Sequence, residues 1–295
     1  VIEVFMLEEF STQTIETSGA RIRVRQSGSG PAILLLHGFP QTHVIWHKVA
    51  PLLARNYRVI LSDLRGYGDS EIRAGTASES DYSFRAMAAD QLEVMKALGH
   101  DEFFLIGHDR GARTAWRLAR DYPQSVKKLA LIDILPTQYV WDHISLPWAM
   151  TAWHWLFLAQ PGDFPQRMAQ AIPPSDLMAA LLRDPATGPS PHTPEAYAEY
   201  VRCCNSKTIA AWCGDYRAAA TTDLLHDSLD KKDKFDRPVF LAWSDASHVA
   251  KGANPLSVWS EHCRDVSGGP IRSSHYIPEE APEALLDGLL PFLRR

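Results

Sequence analysis

Cysteine is scarce in this chain of 295 residues. The four are Cys203, Cys204, Cys213 and Cys263, with no CxxC pair and no His–Cys cluster at zinc spacing. That pattern argues against a disulfide framework and a thiolate zinc site, and leaves reduced structural thiols as the expectation. Positive charge is not in excess either: the net charge is −5, which provides no footprint for nucleic acid or an anionic membrane. Long apolar runs are missing. The longest, Trp148 to Ala159, is interrupted by His154 and falls short of the roughly 18 apolar residues of a membrane span. It reads as buried core or lid. No basic-then-apolar leader, internal repeat or low-complexity tract is present, so a cytoplasmic protein with a small-molecule partner is expected.

What the chain does have is alternation. A β-hairpin is expected from Thr14–Glu16 and Arg21–Arg25 around Ser18-Gly19. Buried strands then read at Ile33–Leu36, Arg58–Leu61, Phe103–Ile106 and Lys128–Ile132. Between them lie helical patterns at His43–Arg55, Ser83–Leu98 (ended by Gly99) and Arg110–Arg120, with a glycine-rich turn at Arg65-Gly66-Tyr67-Gly68. Strands alternating with helices predict an α/β fold with a mostly parallel, doubly wound sheet. From about Pro136 to Asp233 the strand signal stops. Alternation resumes at Pro238–Trp243, Asn254–Val266, Ile271–Ser273 and Pro282–Leu293. An insertion of that size predicts a helical lid over the C-terminal edge of the sheet, where ligands bind in open α/β sheets. The expected units are a core of 1–136 plus 233–295 and a lid of 137–232.

The segment that carries chemistry is Gly107-His108-Asp109-Arg110-Gly111, between an apolar strand and a helix. It has the spacing of a G-x-nucleophile-x-G elbow, with aspartate in the nucleophile's place. Glycines are needed because side chains two residues either side would collide with the neighbouring strand and helix. A carboxylate is ionised at pH 7 without help from a base. It suits displacement at saturated carbon, which leaves an ester on the enzyme that water must then hydrolyse. The second step needs a base and an oxyanion hole. His275 follows the last expected strand and is the candidate base; the N–H groups of Phe39 and Arg110 are the candidate hole. By position, Asp133 or Asp245 serves to orient His275.

Arg110 and Arg113 lie three apart at the start of the helix after Asp109, so both can face one crevice. Two forked guanidiniums at a helix N-terminus match a carboxylate. A substrate bearing its own acid group next to the attacked carbon is therefore expected.

Several segments together resemble the fluoroacetate dehalogenases, a branch of the α/β-hydrolases. They are His37-Gly38-Phe39-Pro40-Gln41-Thr42, Gly107 to Arg113, Asp133-Ile134-Leu135-Pro136-Thr137, His154-Trp155, Leu158-Ala159-Gln160-Pro161, Asp215-Tyr216-Arg217-Ala218 and Pro278-Glu279-Glu280-Ala281-Pro282. The resemblance spans almost the whole chain from Gly30 onward and is weakest between about Phe164 and Ala196. There Leu177, Met178, Leu181 and Leu182 make an aliphatic helix face and Asp184 to Pro194 a proline-rich loop.

It implies an α/β-hydrolase fold, Asp109 as nucleophile, His275 as base, Asp133 as its acid, and Arg110, Arg113 and Phe39 at the substrate. His154, Trp155 and Tyr216 would donate hydrogen bonds to a departing halide, as a small hydrated anion requires in a dry pocket. The implied reaction converts a short 2-haloacid, fluoroacetate or chloroacetate, to the 2-hydroxy acid and halide. It uses water, no metal and no organic cofactor, and a homodimer is implied. Epoxide hydrolysis shares the Asp–His chemistry and is the alternative, with Tyr139, Tyr197, Tyr200 and Tyr216 as possible proton donors; Arg110 argues against it. A non-catalytic scaffold has little reason to keep nucleophile, base and oxyanion turn together.

Overall fold

The computed structural model describes residues 6–73, 78–182, 191–230, 233–247, 249, 251 and 253–295. Nine strands form one sheet: β1 (Ser11–Glu16), β2 (Ala20–Ser27), β3 (Ala32–Leu36), β4 (Arg58–Ser62), β5 (Glu71–Ile72), β6 (Phe103–His108), β7 (Val126–Ile132), β8 (Val239–Ser244) and β9 (Val266–Ile271). Their order is β1-β2-β4-β3-β6-β7-β8-β9, with β5 beside β2. The hairpin β1–β2 pairs Ile15 with Ile22, and β2 is antiparallel to β4; from β4 through β9 the neighbours are parallel. The expected α/β fold is observed.

The central strands read as continuous apolar runs because both faces are covered. In β3, Leu34 and Leu36 enter one core cluster and Ile33 and Leu35 the other. In β7, Leu129 and Leu131 take the first side, Ala130 and Ile132 the second. The short helix α1 (Ala50–Leu53) lies on the second side. On the first are α2 (Phe84–Ala97), which starts at the Ser83 cap and gives way to Gly99 at φ +81°, and α3 (Arg110–Asp121).

Between β7 and β8 the described residues hold helices and no strand. They are α4 (Thr137–Asp142), α5 (Leu146–Thr151), α6 (Trp153–Leu158), α7 (Phe164–Gln170), α8 (Pro174–Leu182), α9 (Pro194–Cys203), α10 (Ser206–Ala220) and α11 (Thr222–Leu229). After β8 come α12 (Pro255–Ser260), α13 (Ile277–Glu280) and α14 (Pro282–Arg294), the last packing on β8 and β9. Among the described residues no helix is long and apolar enough to cross a membrane.

Three expectations need correction. The helix expected over His43–Arg55 is a 3-10 turn, His43–Trp46, followed by α1. Pro51 lacks an N–H and sits in the first turn of a new helix rather than inside a longer one. The last strand runs over Val266–Ile271 rather than Ile271–Ser273. Its Gly268-Gly269-Pro270 centre hides it from strand propensity, and as an edge strand it tolerates proline. The apolar segment Trp148–Ala159 is only partly buried: Trp155 and Leu158 are inside, whereas Met150 is 71% exposed. The aliphatic face of α8 is buried as expected, and the proline-rich loop falls largely outside the described residues.

The two glycines of β9 make a paired test. A Cβ on Gly268, at φ +134°, would meet Leu241 O at 1.8 Å, whereas one on Gly269 meets nothing within 4 Å. Urea unfolding followed by circular dichroism should show Gly268→Ala destabilised by more than about 2 kcal/mol and Gly269→Ala by less than about 1 kcal/mol. Equal losses would contradict the strand geometry.

Candidate active site

Strand β6 ends at His108 and α3 begins at Arg110, so Asp109 alone makes the turn. Its backbone is at φ +49° and ψ −118°, a region that a side chain rarely adopts and that costs on the order of 1–3 kcal/mol. The flanking glycines make this possible. A Cβ on Gly107 would lie 2.4 Å from Gly111 O, and one on Gly111 would lie 2.3 Å from His37 O. Gly38 lets the neighbouring loop approach: a Cβ there would sit 2.6 Å from Asp109 Cβ.

The Asp109 carboxylate is therefore presented in a fixed setting. Oδ1 accepts the Phe39 N–H at 2.9 Å, and Oδ2 lies 3.8 Å from His275 Nε2. Burial pushes the carboxyl upward, but His275, His108, the Phe39 N–H and Arg113 outweigh it. The group is held well below the usual carboxylate range. Arg110, the first residue of α3, has a backbone N–H that the helix itself cannot satisfy.

His275 follows β9 and meets Asp133, whose Oδ2 lies 2.5 Å from Nδ1. With Nδ1–H donated to Asp133, the hydrogen-bond network assigns the lone pair to Nε2, on the side of Asp109. Asp133 is also turned by a positive φ of 53°, and its Oδ1 accepts the Ser244 N–H and the Ser247 hydroxyl, both at 2.9 Å. Asp245 is exposed, and its N–H is bound to Ile271 O. The neighbour of His275 is thus Asp133. Beneath it, His108 donates Nε2–H to the His275 carbonyl at 2.8 Å. Burial, with His275 beside it, pushes the His108 imidazole down to about 4, so at pH 7 it anchors that loop as a neutral ring.

The two arginines part ways. Arg110 is fully buried, and its Nε donates to Asp215 Oδ2 at 2.9 Å while Nη2 binds Asp215 Oδ1 and, at 3.0 Å, the Asp215 carbonyl. The Tyr67 hydroxyl donates to the same Asp215 carboxylate at 2.5 Å. Phe84 and Tyr216 flank the guanidinium, with ring centres 4.7 and 4.1 Å from Cζ. Burial works to lower Arg110, but Asp215 wins and holds it above its ordinary value. Only Nη1 is left without a partner.

Arg113 has no carboxylate partner of that kind among the described residues. Its Nη1 donates to Leu135 O at 3.0 Å and Thr137 Oγ1 at 2.9 Å, and its Nε is buried without a partner. Burial lowers it to about 10 against the pull of Asp109, so it remains a cation at pH 7. Of the two arginines expected to face one crevice, Arg110 is committed to Asp215 and keeps Nη1 without a partner, and Arg113 lines the cavity.

Aromatic rings close the inner end. Phe39 stacks on His154 with centroids 5.4 Å apart and meets Tyr216 edge-on at 5.0 Å; Trp155 lies 5.8 Å from Tyr216. Trp155 and Tyr216 are buried, and burial raises the Tyr216 phenol well above its ordinary value, which keeps it a neutral O–H donor. His154 and Trp155 come from α6 and Tyr216 from α10, so sequence positions 62 and 61 residues apart converge here. Outward from this end, a cavity of about 660 Å³ has Arg113, His154 and His275 in its wall. Of the other tyrosines considered, Tyr139 lines that cavity, whereas Tyr197 donates to Ser175 O and Tyr200 to Glu279.

Sequence reasoning missed the roles of Asp215, Tyr67, Ser247 and His108 in holding the site residues. Asp215 stood in a quoted motif, but no spacing rule connects it with an arginine 105 positions earlier. Among the described residues no group of three or more His, Cys, Asp or Glu side chains is placed to hold a metal ion.

The comparisons agree with this geometry. The model of the alpha/beta hydrolase fold family matches residues 31–268. The chain is 37% identical to a fluoroacetate dehalogenase from Burkholderia sp, over 98% of this chain and 95% of that protein. It is 32% identical to a soluble epoxide hydrolase from Corynebacterium sp. (strain C12), over 97% of this chain and 98% of that one. A mutant of a provisionally named epoxide hydrolase from Pseudomonas aeruginosa, solved with bound MFA, superposes with a TM-score of 0.92 at 43% identity, covering 98% of this chain and 97% of that chain. The chain thus belongs to the α/β-hydrolase fold family, in the branch that contains the fluoroacetate dehalogenase.

Proposed function

We propose that this hydrolase releases halide from short 2-haloacids, fluoroacetate or chloroacetate among them, and yields the 2-hydroxy acid. The observation that carries the reading is Arg113: a buried cation with an unpartnered Nε, lining the cavity beside an ionised nucleophile. A buried charge without its own partner is costly unless a ligand supplies one. A carboxylate one bond from the attacked carbon supplies it, and Nη1 of Arg110 is the second donor.

In the first step Asp109 attacks C2, a C–O bond forms as the carbon–halogen bond breaks, and halide leaves with the electron pair. His154, Trp155 and Tyr216 take the halide, replacing its hydration shell. In the second step water gives a proton to Nε2 of His275 and attacks the Asp109 carboxyl carbon. The oxyanion is held by the Phe39 and Arg110 N–H groups, and Asp133 stabilises the imidazolium. The tetrahedral intermediate then collapses: the ester C–O bond breaks as His275 Nε2–H gives its proton to the departing oxygen, the 2-hydroxy acid leaves, and the Asp109 carboxyl loses its proton to solvent and is a carboxylate again. The helices within 137–232 serve as the lid over a core of 1–136 and 233–295. A cytoplasmic homodimer without metal or organic cofactor completes the reading, which rests there on composition and resemblance.

Epoxide hydrolysis is the second reading, favoured by the 32% identical relative and by phenols at Tyr139 and Tyr216. A neutral epoxide brings Arg113 no anion beyond Asp109, which is why it ranks second.

Halide release from fluoroacetate and chloroacetate is the direct test. Arg113→Gln should lower kcat/KM for both by about a hundredfold, on the order of 3 kcal/mol. Diol formation from epoxides with no halide release from either acid would reverse the ranking.

The two steps separate further. His275→Ala should accumulate a carboxymethyl ester on Asp109, seen by mass spectrometry, with hydrolysis slowed about 10²- to 10⁴-fold; Asp133→Asn should slow the same step and Asp245→Asn should not. Because the Asp109 carboxyl is held below its usual range, it stays ionised in mild acid, and ester formation should persist there. Unmodified Asp109 under all these conditions would refute the covalent route.

A further inference from the structure

The cavity is far too large for a haloacetate. At about 660 Å³ it lies within the roughly 300–1,000 Å³ range of sites that take drug-sized ligands, whereas a haloacetate has only two carbons. Its wall is mostly apolar away from the reacting end. Leu135, Tyr139, Trp148, Leu181, Val249 and Tyr276 line it, contributed by α4, α5, α8 and the loops after β7, β8 and β9. Phe39, Trp155 and Tyr216 do not line it; they belong to the closed inner end.

In-line displacement dictates how a substrate sits here. The halide lies opposite Asp109, toward the aromatic end. The remaining three groups on C2 lie between nucleophile and leaving group. Arg113 fixes one of them, the carboxylate. One of the other two is free to reach from the reacting carbon into the cavity, whose wall includes Leu181 of α8 and Val249 of the loop after β8. A haloacetate places only hydrogen there and leaves the space to water.

We infer that the preferred substrates are 2-haloacids carrying an apolar substituent on C2, of aryl or branched-alkyl size, with that substituent seated in the cavity between α5, α8 and the loop after β8. The inference rests on the proposed dehalogenation and names its substrate class. The chemistry is unchanged: C2–O forms as C2–halogen breaks, and water later cleaves the ester. With the carboxylate on Arg113, the halogen opposite Asp109 and the substituent against the apolar wall, three of the four groups on C2 are fixed, so a single configuration fits.

The test compares chloroacetate, 2-chloropropanoate and the two enantiomers of 2-chloro-3-phenylpropanoate by chloride release, with spontaneous hydrolysis subtracted. The expected result is a KM for one phenyl enantiomer about tenfold or more below that of chloroacetate, in line with the roughly tenfold or greater discrimination per buried apolar group. Ala180 is exposed on α8 and borders the cavity. Ala180→Trp should raise KM for the phenyl acid about tenfold and change that for chloroacetate less than about twofold. Thr151→Trp, at an exposed residue of α5 that also borders the cavity, is the second variant and should act in the same sense. Chloride from chloroacetate but none from either phenyl enantiomer would overturn the inference alone. So would equal KM for the two enantiomers, or a tryptophan that slows both acids alike, since the cavity would then be an entrance only. No chloride from any 2-chloro acid would instead remove the dehalogenase reading and this inference with it.

Discussion

One backbone constraint organises this molecule: Asp109 turns the chain from β6 into α3 at a positive φ. Everything at the site is arranged around that turn. The parallel strands β3, β6 and β7 bring the Phe39 loop, the elbow and Asp133 to one edge of the sheet. Glycines at 38, 107 and 111 are required because a Cβ at each would strike atoms that hold the turn in place. The strain at Asp109 is sustained by two covered sheet faces, whose apolar residues separate by strand alternation into two core clusters. A carboxylate so presented keeps one oxygen on a backbone N–H and the other toward His275.

Around that carboxylate the charges are divided rather than pooled. Arg110 is neutralised by Asp215, which Tyr67 supports in turn, so its guanidinium is a fixed wall with one nitrogen to spare. Arg113 answers chiefly to Asp109 among the carboxylates and has a buried Nε without an acceptor. A single uncommitted cation discriminates more sharply than two free ones would, because a second unpaired guanidinium in the same dry space would repel the first. The same economy appears at His275, where Asp133 is itself held by Ser244 and Ser247 and the ring has one orientation.

Much of this was legible in the sequence, for physical reasons. The elbow announces itself because only glycine fits around it. The sheet reads from apolar runs whose length matches two-sided burial. Asp109, Asp133 and His275 follow strands, and strand ends converge in a parallel sheet. What stayed hidden depends on tertiary contact. The strand Val266–Ile271 is made by pairing with β8, against the propensity of its glycines and proline. The commitment of Arg110 to Asp215 joins residues from α3 and α10 that no periodicity relates. Cavity size, too, arises from the packing of inserted helices, and α8 brings Ala180 and Leu181 to its wall without leaving a motif.

The account turns on attack by Asp109 itself. A single turnover of chloroacetate in water enriched in ¹⁸O, with enzyme in excess, tests it most directly. The product hydroxyl should carry ordinary oxygen, and the label should appear in the Asp109 carboxyl on peptide mass analysis. Label entering the product hydroxyl at once, with Asp109 left unlabelled, would contradict it.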